Sequence, residues 1–316
     1  MSIATEPPLN RAAQLRVLVP FTIVTLIWGG TWLVIRHQLG IVPPSWSIAY
    51  RFALAAAAMF LYARFAGASL RLAARDHAFA AVTGVALFGL NFQFVYRAEG
   101  HIASGLVALV FAMLIVPNTL LARAFLGQGV SRRFFAGSAV AVGGLALLFW
   151  HELSASAAGP RATLLGIGLT LAGVMAASVA NVMQASERAR RLPVPTLLAW
   201  GMAYGALADA AFAWITAGPP RFDPSLSYVV GLAYLGLAAS AVAFPLYFGV
   251  IQAIGPGRAA YSSVLVPVLA MALSTVFEAY RWTVPAALGV ALVLAGLVIA
   301  LRAKASGQAR PVSDDR

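Results

Sequence analysis

The chain has no cysteine in 316 residues, a single lysine at Lys304, four histidines, and only 10% charged side chains. Without cysteine there is no disulfide, thiolate metal site or cysteine nucleophile. With the lone lysine in the C-terminal tail, no GxxxxGK[ST] phosphate loop exists, which excludes direct ATP hydrolysis by that route. His37, His77, His101 and His151 stand apart with no HExxH pair, so neither a metal nor another cofactor is expected. Charge this sparse is also far below what a soluble domain needs at its surface.

What fills the chain instead is apolar sequence. Hydrophobic residues make up 61% and the mean hydropathy is +0.85. Ten apolar stretches follow one another at 17–35, 43–63, 78–96, 102–122, 134–150, 162–183, 194–217, 226–254, 259–277 and 283–301. Each is long enough to cross a bilayer as a helix and too long, without alternation, for a tilted barrel strand. The expected fold class is all-α integral membrane, with ten transmembrane helices and membrane lipid as the main solvent. No cleavage site follows a short apolar core at the N-terminus, so the first span is expected to stay.

The formal net charge is +12, but its residues are scattered through short joins rather than gathered on a polar face, so no nucleic-acid partner is expected. With a cytoplasmic N-terminus, 16 Lys/Arg fall inside and five, Arg36, Arg97, Arg161, Arg221 and Arg281, fall outside. That bias predicts an even number of crossings with both termini cytoplasmic.

Ile115-Val116-Pro117 is followed by Gln128, and Leu265-Val266-Pro267 by Glu278, 11 residues after the proline in both cases. Gly144 and Gly296 then lie 27 and 29 residues beyond their prolines, which calls for a two-residue insertion in the second copy. Five spans per copy is odd, so the second copy must be inverted. The expected organisation is a tail at 1–16, a first five-helix repeat at 17–152, a second at 162–301, and a C-terminal tail at 302–316. Inverted halves flanking a midplane site are the architecture of secondary transporters.

Several polar or bent positions at membrane depth are candidates for the solute path. Arg51 lies eight residues into its span, about 12 Å deep at helical rise; an intramembrane arginine pairs with an anion, a carboxylate or carbonyls, or snorkels outward. Asp209 is the acid well inside a span, in register with Gly201 and Gly205 on a close-packing face. Two readings stand for it, an ion pair with Arg51 or proton coupling. Trp28 at mid-span either walls a cavity or packs. Asn91, Gln93, Tyr247, Tyr261 and Ser262 are polar groups that bond across helices or line a polar route. Pro117, Pro245 and Pro267 are kink positions that serve gating or static bends.

The order of Trp28-Gly29-Gly30-Thr31, Pro43-Pro44 before Arg51-Phe52, Pro117, Pro267 with Glu278, and Ala295-Gly296 resembles the EamA family of the drug/metabolite transporter superfamily. The resemblance covers nearly the whole chain. It implies a ten-helix inverted-repeat fold, alternating access, and export or exchange of small metabolites, commonly amino acids or related compounds, in the inner membrane of a bacterium. Gln128 departs from the glutamate usual in the first half. An exporter of drugs or cationic compounds is the alternative within transport. An intramembrane enzyme, with Arg51, Glu99, Asp209 and Glu278 meeting in space, is the alternative from another class. Oligomeric state is left open.

Overall fold

The structure, a computed structural model, describes residues 11–155, 159–247, 250 and 262–307. All regular structure among the described residues is helical, as the long apolar runs require: only a helix satisfies its own backbone away from water. The helices are α1 (Arg11–His37), α2 (Pro44–Phe65), α3 (Ala74–Ala98), α4 (Ser104–Leu126), α5 (Arg132–Ala155), α6 (Pro160–Gln184), α7 (Val194–Ala217), α8 (Leu226–Tyr247), α9 (Ser262–Phe277) and α10 (Val284–Gly307). Among the described residues, all except α9 are long and apolar enough to cross a membrane; α9 is apolar but 16 residues long. The bundle's exterior is studded with Phe65, Phe125, Trp150, Ile215 and Leu226, each more than three-quarters exposed. Such a surface is stable against lipid and not against water.

The packing repeats itself. α1 contacts α8 and α9, while α6 contacts α3 and α4; α2 packs on α7 and α8, and α7 on α2 and α3. Each statement becomes the other when five is added to or subtracted from the helix number. α3 and α8 also carry the two π-helical stretches, Val85–Leu90 and Tyr234–Val242, at corresponding places. The equivalent helices α2 and α7 run antiparallel. Trp46 on α2 donates to the Gly218 carbonyl just past α7, and at the opposite end Thr196 on α7 donates to the Ser69 carbonyl just past α2.

α5 and α10 form the tightest antiparallel pair, and glycine is the reason. A Cβ on Gly137 would sit 2.5 Å from the Ala300 nitrogen, and one on Gly144 would sit 2.7 Å from the Gly289 carbonyl oxygen. On the other helix, a Cβ on Gly296 would sit 2.4 Å from the Ala141 nitrogen. Backbones this close leave no room for a side chain. Adding 152 to Gly137 and Gly144 gives Gly289 and Gly296, two more than the 150 that separates Pro117 from Pro267. The same two-residue insertion is visible in the sequence spacing.

α4 is broken at Met113–Leu114 between Ser104–Ala112 and Ile115–Leu126. Pro117 explains the break: its ring has no N–H and crowds the carbonyl four residues back, at Met113. Pro267 lies inside α9, and Pro245 follows the π-helical stretch of α8.

Candidate functional site

The buried polar side chains concentrate where α1, α2, α3, α8 and the start of α4 meet, toward the end of the bundle that carries Glu278. Arg51 is the centre of this group. It is 2% exposed, and its Nε and Nη2 both donate to Ser240 Oγ at 3.4 Å. The guanidinium carbon stands 4.3 Å from the ring centre of Phe92 and 5.0 Å from that of Phe52. Aromatic faces favour a cation without neutralising it. Among the described residues, Nη1 has no hydrogen-bond partner and no carboxylate lies within ion-pair distance of Arg51.

Local backbone chemistry creates this setting. Ser240 lies in the π-helical part of α8 and donates to the Leu235 carbonyl five residues back, as the wider helix allows. Gly236 lets α8 approach α2: a Cβ there would meet the Arg51 carbonyl oxygen at 3.1 Å and the Leu54 side chain at 2.9 Å.

The sequence left an Arg51–Asp209 ion pair open, and the structure joins Asp209 to other groups. Gln93 on α3 donates from Nε2 to Asp209 Oδ1 at 2.8 Å. The Gln93 side-chain oxygen accepts from Ser45 Oγ at 2.9 Å and from Arg97 Nη1. Arg97 also donates to the Gln93 backbone carbonyl at 2.8 Å and to Ser45 Oγ at 3.0 Å. Gln93 and Arg97 are one turn apart on α3, so both reach α7 together. Gly84 and Gly201 make this possible, since a Cβ on Gly84 would lie 2.1 Å from the Gly201 carbonyl oxygen. Asp209 is thus joined to Arg97 through Gln93 and not by a direct ion pair, and among the described residues its Oδ2 has no hydrogen-bond partner; Arg97, which the sequence placed in a loop, folds back along its own helix.

A third group lies at the Glu278 end. Glu278 follows α9 and accepts from the Ser104 backbone N–H at 3.2 Å, from Ser104 Oγ at 2.5 Å and from Ser274 Oγ at 2.6 Å. The Arg36 Nε stands 3.6 Å away. Glu278 thus caps the N-terminus of α4 from a different helix, where a negative charge is favoured. Glu99, the residue after α3, is 0% exposed, and among the described residues neither carboxyl oxygen has a hydrogen-bond partner. Burial holds its pKa well above the usual carboxylate range; the nearby Glu278 charge adds to this, and Arg36 and Arg51 oppose it. Tyr96, three residues before Glu99, feels the charges of both Glu99 and Arg51, and its hydroxyl donates to Gln38 Oε1 at 3.4 Å; among the described residues the buried Gln38 Nε2 has no partner.

The other expected positions fall in different places. Trp28 donates to the Ala239 carbonyl at 3.1 Å and packs against Phe244 and Tyr247, with ring centres 5.6 and 5.0 Å away. The two glycines after it serve close contacts: Gly29 faces Leu269 on α9 and Gly30 faces the Tyr234 hydroxyl on α8. Tyr247 is linked to Ser262 by a hydrogen bond. Tyr261 lies outside the described residues. Asn91 turns its amide to the Leu87 carbonyl and stands against Gly173 on α6, away from the Arg51 group. Sequence reasoning missed Tyr96, Gln38 and Ser240. Arg36 and Gln38 two residues apart at a span's end, with Tyr96 three residues before Glu99, were the signal available. Among the described residues no cluster of His, Asp and Glu could hold a metal ion.

Comparison with known proteins fits this arrangement. The model of the EamA-like transporter family matches twice, at residues 17–150 and 164–302. Protein PagO of Salmonella typhimurium is 23% identical over 92% of this chain and 94% of its own length. A protein of Escherichia coli named as a probable amino-acid metabolite efflux pump is 25% identical, covering 88% of this chain and 92% of its own. The uncharacterized transporter YoaV of Bacillus subtilis is 22% identical over 90% of this chain and 96% of its own. One crystal structure superposes with a TM-score of 0.65 at 22% identity, covering 91% of this chain and 96% of the other, which shows a shared fold. With both halves matched and little of the chain left over, this protein belongs to the EamA-like transporter family, a multi-pass membrane protein of the drug/metabolite transporter superfamily.

Proposed function

We propose that the chain exports or exchanges small metabolites that carry a carboxylate, amino acids and related compounds first, across a bacterial inner membrane. Ten crossings with both termini cytoplasmic place the Glu278 end outside. Two inverted halves, 17–152 and 162–301, expose the Arg51 region alternately to either side. Pro117, Pro245 and Pro267 supply the bends about which the helices move.

One observation carries the substrate class: Arg51 is buried at depth with a partnerless Nη1 and no carboxylate of the described chain against it. A buried cation is stable when an anion meets it, and a solute carboxylate fits the planar fork of a guanidinium. The relatives in E. coli and Salmonella named as probable amino-acid metabolite efflux pumps support the same class at 25% and 26% identity.

The test compares metabolites in the medium of cells expressing this protein with those of cells expressing Arg51→Ala at equal membrane abundance. A carboxylate-bearing compound enriched outside only with the unaltered protein supports the reading. A cationic compound enriched equally by both forms would point to a drug exporter instead, and a chemically converted product to an enzyme.

A further inference from the structure

We infer that Glu99 is a proton-binding site of this transporter, linked through Tyr96 to the guanidinium of Arg51, so that a proton and a carboxylate-bearing solute bind together. The solute half of this statement rests on the reading of Arg51 given above; the proton half does not.

Two carboxylates lie near each other at the Glu278 end, and the serine and Arg36 donors there go to one of them. Glu278 takes the Ser104 backbone N–H, both serine hydroxyls and Arg36. Glu99, fully buried, takes none among the described residues. An ionised carboxylate deprived of water needs donors or a cation. Glu99 has neither in contact, and an anion stands near it, so the proton stays on.

The charged and titratable groups around Glu99 come from four helices and the end of α9. Arg36 faces it from α1, Arg51 from α2, Tyr96 from its own helix, and Glu278 from the end of α9. Asp209 on α7 reaches the same Tyr96. Burial and Glu278 favour the protonated form; Arg36 and Arg51 favour the ionised one.

The dependence on Arg51 sets the sign of the link. A solute carboxylate bound to Arg51 cancels the guanidinium charge that draws the proton off, so Glu99 holds it more tightly. Linkage is reciprocal, and a proton on Glu99 strengthens carboxylate binding at Arg51 by the same factor. When the Glu278 end opens, water reaches Glu99, the proton leaves, and the hold on the carboxylate weakens with it. Proton and anion are released on the same side.

The test needs no identified solute. Dicyclohexylcarbodiimide is an apolar reagent that adds to protonated carboxyls, and peptide mass spectrometry of the full-length purified protein locates the adduct. Labelling at Glu99 is expected to persist with rising pH well past the range in which an ordinary carboxyl loses its proton. Glu99→Gln abolishes the adduct. Arg51→Gln moves the labelling midpoint up, Arg36→Gln does the same, and Glu278→Gln moves it down, in variants checked by thermal unfolding to be folded. A midpoint in the ordinary range, or no adduct at acidic pH, overturns the proton site. A midpoint unmoved by Arg51→Gln, with the Arg36 variant shifting as expected, overturns the link. Repeating the wild-type titration with a mixture of the twenty standard amino acids separates the two ideas. An upward shift supports co-binding. No shift, with the Arg51→Gln displacement intact, counts against amino acids as the solute while supporting the proton site.

Discussion

At the scale of single residues, Glu99 and Arg51 are two buried ionisable groups that lack a close partner of opposite charge among the described residues, and their expected behaviour differs. The pKa of Glu99 is raised on folding, so its contribution to stability is complete below the unfolded value of roughly 4.3. That contribution is lost as pH rises through the folded value, because the unfolded chain gives up its proton first. Thermal unfolding in detergent is therefore expected to show falling stability from weakly acidic to alkaline pH, and Glu99→Gln is expected to flatten that slope. An unchanged slope in the variant would assign it to another group. Arg51 has two long hydrogen bonds to one serine and no ion pair with a described carboxylate. Arg51→Met leaves no orphaned opposite charge, so the melting temperature is expected to stay level or rise while transport is lost. Arg51→Lys keeps the charge without the fork and is expected to retain a small part of the activity. A Met variant that fails to fold would show that Arg51 holds the bundle together.

Among the helices, glycine decides which surfaces approach. Gly84→Val would drive a side chain into the Gly201 backbone and separate α3 from α7, breaking the Gln93–Asp209 bond. A cost of at least about 1–3 kcal/mol is expected, the range for overpacking, read as a lower melting temperature. Gly143, also mid-helix, has open space around its missing Cβ, and Gly143→Ala is expected to be neutral or to stabilise by up to about 1 kcal/mol. Much of this level could be read from sequence, because apolar length marks helices and Pro117 marks a break. The π-helical stretches could not, since they follow from packing against α2 and α7 and leave no pattern in residue type. The same limit explains the Arg51–Asp209 question. Depth along a span is computable from sequence, but the insertion of Gln93 and Arg97 from α3 between other helices depends on how the helices rotate about their axes.

For the whole molecule, the repeat was legible because Pro117 and Pro267, and then Gly144 and Gly296, recur with one consistent insertion. The polar group around Arg51 was less so. It is asymmetric, built from Arg51, Tyr96 and Glu99 of the first half with Ser240 and Glu278 of the second, and the matching position to Arg51 is Gly201 at the repeat offset of 150. Orientation is open to a direct check, since the chain has no native cysteine. Gly40→Cys and Gly129→Cys stand in open space at opposite ends of the bundle. In intact cells an impermeant maleimide is expected to label the first and to reach the second only after permeabilisation; the reverse pattern would invert the topology.

The most direct measurement is exchange of a radiolabelled mixture of the twenty standard amino acids across sealed proteoliposomes, with unaltered protein and with Arg51→Ala at equal reconstitution. The expected result is unchanged amino acid entering against an internal unlabelled pool with the unaltered protein, and entry reduced to the level of protein-free vesicles with the variant. Equal exchange by both proteins would contradict the assignment of Arg51 as the carboxylate site, and no exchange by either would contradict amino acids as the solute.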